Sequence, residues 1–110
     1  MLIMKKYIKM IDQYYNEDNT ILILDDEFNQ NLTNVKFPTS LQSITFGIKF
    51  NQDLTNVTLP DSLQSITFSA DFNQDLTNVS FPTSLNKIKF NFCCNEQTIN
   101  SLPIGIKELE

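Results

Sequence analysis

A single phrase is repeated along the chain, and it constrains the fold more than any other feature. FNQNLTNVKFPTSLQSITFGIK (28–49) aligns without a gap to FNQDLTNVTLPDSLQSITFSAD (50–71) and to FNQDLTNVSFPTSLNKIKFNFC (72–93), a period of 22 residues. A decayed fourth copy begins at Cys94 and reaches its proline one residue early. Half a copy precedes the first, with Leu22 and Leu24 standing 22 residues before Ile44 and Phe46. All four prolines, Pro38, Pro60, Pro82 and Pro103, fall in one column. Helix-pair repeats need about 33 residues or more, so the unit fits one coil of a stacked repeat.

Each copy carries the segment L-x-x-I-x-F: Leu41, Ile44 and Phe46, then Leu63, Ile66 and Phe68, then Leu85, Ile88 and Phe90. The I-x-F part alternates with period two, which predicts a short strand with Ile and Phe facing inward. An Asn follows the next inward Phe, giving the grammar of a leucine-rich repeat. The remainder, L-T-N-V-x-F/L-P, has no helical periodicity. It predicts an extended or turn-like convex side, with at most a 3₁₀ turn at P-x-S-L. The expected fold class is mainly β: a leucine-rich-repeat-like solenoid of 22-residue coils, a short parallel sheet of four strands and an N-terminal helical cap.

Columns then acquire physical roles. Phe28, Phe50 and Phe72 form an aromatic spine continued by Cys94. Leu32, Leu54 and Leu76 lie beneath it. Val35, Val57 and Val79 line the far wall with Phe37, Leu59 and Phe81. No coil buries its apolar face alone, whereas a stack makes one continuous core. The Asn columns (29, 51, 73, 95 and 34, 56, 78) are expected to be buried amides bonded to turn backbone rather than a ligand ladder. Ser40, Ser62 and Ser84 read as turn hydroxyls.

The unit F-N-Q-x-L-T-N-V-x-F/L-P-x-S-L-x-x-I-x-F closely resembles the FNIP repeat over residues 19–110. That resemblance implies a leucine-rich-repeat-like scaffold of a kind found in social amoebae and in large DNA viruses that infect them. It implies a protein-binding role and carries over no catalytic site. Family members often place an F-box before the repeats, which implies substrate adaptors for ubiquitin ligases; residues 1–18 are too short for one.

Those residues are instead expected to form an amphipathic cap helix, with repeats over 19–110. Met4, Ile8, Ile11 and Tyr15 follow 4-3-4 spacing, an apolar stripe suited to covering the open core. In the first strand, Thr20 to Leu24, Ile21 and Ile23 stand where later coils have Ser43 and Thr45. The cap is expected to cover that outward face too.

Composition narrows the function classes. The formal net charge is −5, with eight Lys and no Arg, a poor balance for nucleic-acid binding. There is no His, the commonest general base and metal ligand. Lys5, Lys6 and Lys9 interrupt the first apolar residues, so neither a signal peptide nor a membrane span is expected. Vicinal Cys93 and Cys94 suit an intracellular, cytoplasmic location. Asp25, Asp26 and Glu27 read as a solvated acidic turn rather than a calcium site. No catalytic, cofactor-binding or metal-binding residue is expected, and no cofactor.

What remains is a non-enzymatic protein–protein interaction module. Its expected binding positions are the outward strand residues Ser43, Thr45, Ser65, Thr67, Lys87 and Lys89, with Gly47, Ser69 and Asn91 beyond them. The alternative is a structural or self-associating unit, or a truncated relative of F-box adaptors. Leu102, Ile104, Ile106 and Leu109 are expected at the last coil, offering an apolar end for a homodimer.

Overall fold

A computed structural model describes residues 11–91, 96–102 and 108–109 of the chain. Five short strands form one parallel sheet in chain order: β1 (Ile21–Ile23), β2 (Ser43–Thr45), β3 (Ser65–Phe68), β4 (Lys87–Phe90) and β5 (Glu108–Leu109). The register follows the sequence period. Leu22 pairs with Ile44, Ile44 with Ile66 and Ile66 with Ile88. The last step is one residue shorter: Ile88 pairs with Leu109. The early proline of the fourth copy therefore matches a real one-residue shortening. The expectation of four strands is corrected to five, because Glu108 and Leu109 already pair with β4.

Each full coil turns three corners, and each corner is closed by an N–H reaching the carbonyl three residues back. After the strand, Phe28 donates to Asp25, Phe50 to Gly47 and Phe72 to Ser69. At the second corner Val35, Val57 and Val79 donate to Leu32, Leu54 and Leu76. At the third, Leu41, Leu63 and Leu85 donate to Pro38, Pro60 and Pro82. The apolar residues at these corners face the interior, so every turn is anchored by a buried side chain. The convex side is extended and turn-like, as the lack of helical periodicity predicted. The fourth copy departs: Glu96–Asn100 forms a short helix, α1, where the earlier coils are extended. Thr98 there takes the column of Leu32, Leu54 and Leu76, and is buried.

Two phenylalanine ladders run through the core. Phe28, Phe50 and Phe72 stack with centroids 6.3 and 6.1 Å apart. Phe46, Phe68 and Phe90 stack at 5.5 and 5.6 Å. The ladders also touch, Phe46 on Phe50 at 4.0 Å and Phe68 on Phe72 at 4.1 Å. Near-parallel offset rings at these distances add to the burial of large apolar surface. Around them Leu22, Leu32, Leu41, Ile44, Leu54, Leu63, Ile66 and Leu76 are fully buried.

The segment before β1 is corrected in one respect. Helical conformation ends at Asp12, and Gln13 and Tyr14 form a turn. Tyr15 pairs antiparallel with Leu22, Asn16 N–H donates to the Ile21 carbonyl, and Ile23 N–H donates to that of Tyr14. Pairing the open edge of β1 outweighs one more helical turn, because unpaired edge groups invite other chains. Ile11 is buried in the core, and Tyr14 and Tyr15 are packed against it. The rest of the expected cap helix, residues 1–10, lies outside the described residues.

Candidate functional site

The sheet has an inner and an outer face, separated by strict alternation. Leu22, Ile44, Ile66 and Ile88 point inward and are at most 1% exposed. Their neighbours point outward in two straight columns: Ile21, Ser43, Ser65 and Lys87, and Ile23, Thr45, Thr67 and Lys89. Ser43, Thr45, Ser65, Thr67 and Lys87 are half-buried, and Lys89 is exposed. The structure thus brings all six expected binding residues onto one surface. Glu108 follows Lys87 in the backbone register.

Gly47 and Ser69 do not belong to that surface. Both are buried, because the backbone bends inward at the first corner and the alternation of the strand stops there. A Cβ on Gly47 would lie 2.4 Å from the Asp25 carbonyl oxygen and 2.6 Å from the Asp26 Cα. Only glycine admits the first coil's turn at that distance. Asn91, in the same column, is half-buried.

The expected cover over Ile21 and Ile23 is also corrected: they are 41% and 56% exposed. Tyr14, Tyr15 and Asn16 pair with the edge of β1 rather than crossing its outward face; residues 1–10 lie outside the described residues. The outer surface therefore grades from apolar at β1, through hydroxyls, to lysine at β4. Sequence reasoning missed the apolar end because it assigned these isoleucines to a buried contact. The signal was present in their period-two spacing.

Around the face, polar columns tie coil to coil. Asn29 Oδ1 accepts from the Asn51 N–H at 2.9 Å and from Gln52 Nε2 at 2.9 Å. Asn51 Oδ1 accepts likewise from Asn73 N–H at 3.1 Å and Gln74 Nε2 at 2.9 Å. These amides satisfy backbone groups as expected, but Asn29 and Asn73 are exposed rather than buried. Asn34, Asn56 and Asn78 are exposed at the second corner. Ser62 and Ser84 hydroxyls donate to the Leu41 and Leu63 carbonyls one coil back, at 2.5 and 2.6 Å. Ser40 donates to the Asn19 carbonyl at 3.0 Å. Asn19 itself adopts a left-handed φ of 57°, which asparagine tolerates in a turn.

The acidic run after β1 disperses rather than converges. Asp25 accepts from the Tyr14 hydroxyl at 2.8 Å and from the Glu27 N–H at 2.9 Å. The Tyr14 bond raises that phenol above its ordinary value of 10.0. Asp26 accepts from Ile48 N–H at 3.3 Å, and Glu27 pairs with Lys49 at 3.0 Å. Among the described residues no three His, Cys, Asp or Glu gather as a metal site would require. Among them, too, no helix is long and apolar enough to cross a membrane.

On the convex side, a shallow groove of about 610 Å³ runs between the first two coils, past Val35, Phe37, Leu59 and Pro60. At the C-terminal end, Leu102 is packed partly buried against the core. Ile104 and Ile106 lie outside the described residues, and Leu109 is placed by its backbone pairing alone.

Comparison with known proteins agrees with this architecture. CroV588, whose crystal structure is that of a novel circular LRR protein, matches with a TM-score of 0.64 and 34% sequence identity. The match covers 81% of this chain and 13% of CroV588, so the chain spans a small fraction of that protein's length. No curated protein matches the chain. The family model described as FNIP Repeat matches residues 50–93 and again 72–110. With more than half of the chain matched and the 22-residue columns stacked in a leucine-rich-repeat-like fold, the chain belongs to the FNIP repeat family.

Proposed function

We propose that this chain is a non-enzymatic interaction module that binds a protein partner on the outward sheet face, through Ser43, Thr45, Ser65, Thr67, Lys87 and Lys89. One observation carries the reading. From β1 to β4 the inward residue is always a buried Leu or Ile, while the outward pair changes along the stack, from Ile21 and Ile23 through the two Ser–Thr pairs to Lys87 and Lys89, and stays partly or fully accessible. Repeat proteins use such a surface for recognition and the constant columns for stability. The dispersal of Asp25, Asp26 and Glu27 onto separate partners supports a scaffold over a reaction centre. An intracellular, cytoplasmic location goes with this reading, supported by the sparse cysteines, Cys93 and Cys94 alone.

The test uses a photo-reactive residue introduced at Thr67, and separately at Thr58 on the convex side, in the full chain. Cross-linking in extracts of the native source should yield a discrete protein adduct from position 67 and none from 58. Adducts at 58 alone, or at neither, would remove the sheet face as the binding surface. The small side chains of the two central coils favour a second reading, since binding hot spots concentrate in Trp, Tyr and Arg. In it the chain is a structural unit that pairs as a homodimer through Leu102, Ile104, Ile106 and Leu109. Sedimentation at micromolar concentration separates the two readings: a 12.7 kDa monomer rejects the dimer.

A further inference from the structure

Ile23, Thr45, Thr67 and Lys89 form one straight row across four strands. The row changes character along its length. Its β1 end is apolar, with Ile23 56% exposed and Ile21 41% exposed beside it. Its middle carries two hydroxyls, and its β4 end carries the exposed ammonium of Lys89. Asp25 and Asp26 follow Ile23 within three residues, so the apolar end also lies nearer the acidic corner. Two adjacent exposed isoleucines gain by being covered with another apolar side chain. The exposed Lys89, with Lys87 two residues before it on the same face and Glu108 beside Lys87 in the register, attracts a carboxylate, and the acidic corner disfavours that carboxylate at the opposite end.

We infer that the row is a docking track for an extended acidic segment of a protein partner lying across the strands. This inference rests on the reading of the outward face as a binding surface and specifies its ligand. One apolar side chain covers Ile21 and Ile23, and one Asp or Glu meets Lys89. The geometry fixes their separation. Three interstrand steps of about 4.8 Å place the ends of the row about 14 Å apart, and an extended peptide advances about 3.3 Å per residue. The apolar and acidic residues of the ligand therefore stand about four positions apart. Between them, the Thr45 and Thr67 hydroxyls can donate to or accept from the peptide backbone.

Synthetic peptides test the spacing directly. Leu-x-x-x-Glu and Glu-x-x-x-Leu probes, with Ser and Thr at x, are titrated into the full chain. A control of identical composition has Leu and Glu adjacent. Isoleucine methyl and Thr amide NMR signals report binding at the row. One of the spaced probes should shift the signals of Ile23 and Thr67 and bind several-fold more tightly than the control. Lys89→Glu should weaken it by roughly tenfold, since the attraction becomes a repulsion. Ile21→Ser with Ile23→Thr should weaken it about threefold, by removing the apolar contact. That pair only gives the first coil the residues of the second, so the fold is retained. Raising the salt to about 0.5 M should weaken binding further, by screening the exposed charge. Equal affinity for the control, no binding by either spaced probe, or indifference to Lys89→Glu would overturn the track. If the photo-reactive residue at Thr67 still captures a protein, the binding face stands and only its ligand has been misassigned. Failure of both removes the face.

Discussion

The two kinds of position that alternate along each strand follow different rules. The inward column of Leu22, Ile44, Ile66 and Ile88 keeps one chemistry and almost no exposure. The outward column of Ile23, Thr45, Thr67 and Lys89 uses three chemistries on four strands. In a parallel stack, a buried side chain meets its own copy above and below, so a change in one coil leaves a mismatch with both neighbours. An outward side chain meets solvent on its free side and is released from that condition. The backbone thus enforces sameness at the buried strand positions and leaves the outward ones free to vary.

The contrast is most exposed to test at Phe50, which contacts rings in both ladders: Phe28, Phe72 and Phe46. Phe50→Ala should cost about 3–5 kcal/mol in chemical denaturation, because neighbouring coils cannot collapse into the void without losing strand register. A loss below about 1 kcal/mol would place Phe50 among tolerant surface positions and erase the inside–outside distinction. Gly47 sharpens the boundary between the two sets. Gly47→Ala should cost about 1–3 kcal/mol, since the added carbon meets the backbone of the Asp25–Asp26 turn rather than a yielding side chain. A neutral result would show that this turn moves freely outward.

How much of this was legible in the sequence follows from the same contrast. The 22-residue period aligns each residue with its copy one coil away, so the Phe28–Phe50–Phe72 spine, the inward isoleucines and the six outward residues could all be named by number. A period says which residues form a column, not which columns touch. The contact of Phe46 with Phe50 depends on the corner at Ile48–Lys49, and nothing in the spacing reports that angle. Alternation likewise misplaced Gly47 and Ser69, because it holds only while the chain is a strand. Tyr15 continued a helical stripe, yet an unpaired strand edge is a stronger local demand than one more turn of helix. Ile21 and Ile23 illustrate the reverse error: apolar side chains were assigned a cover, although exposed apolar residues are common on protein surfaces. The hydroxyl and lysine residues were therefore placed on the outward face from the sequence alone, and the apolar end of that face was missed.

Between core and surface lies the amide ladder. Asn51 Oδ1 accepts two bonds from the following coil, but its position at the rim gives water access to the groups it serves. Asn51→Ala should accordingly cost about 1 kcal/mol, less than either interior change. Amide hydrogen exchange at Asn73, whose N–H loses its acceptor, should accelerate more than exchange at Leu63 in the preceding turn. Equal protection in variant and wild type would mean that the ladder adds nothing to coil-to-coil cohesion.

The smallest effect is expected at the second corner, where the coils provide their own control. Asp53 and Asp75 accept from the N–H of Thr55 and Thr77, each at 2.8 Å. Asn31 accepts from Thr33 N–H at the same 2.8 Å without carrying a charge. Asp53 and Asp75 titrate below the ordinary carboxyl value of 3.8, chiefly because the Thr55 and Thr77 side-chain hydroxyls, and then their backbone N–H groups, bond to the carboxylate. A carboxyl with a depressed folded value binds protons more readily when unfolded. Its contribution is therefore present in full above the unfolded value and is lost as pH falls through the folded one. Both groups are almost fully exposed, so solvent screening keeps that contribution small. Asp53→Asn with Asp75→Asn should keep the turn bonds, as Asn31 does, and leave thermal stability near neutral pH almost unchanged. Below about pH 4 the double variant should lose less stability than wild type, because the two carboxyls no longer take up protons on unfolding. Melting curves collected from pH 7 down to pH 2.5 measure the difference. Parallel acid limbs would show that the Thr bonds do not distinguish the folded carboxylates from unfolded ones, and that this corner follows the permissive rule of the outward face.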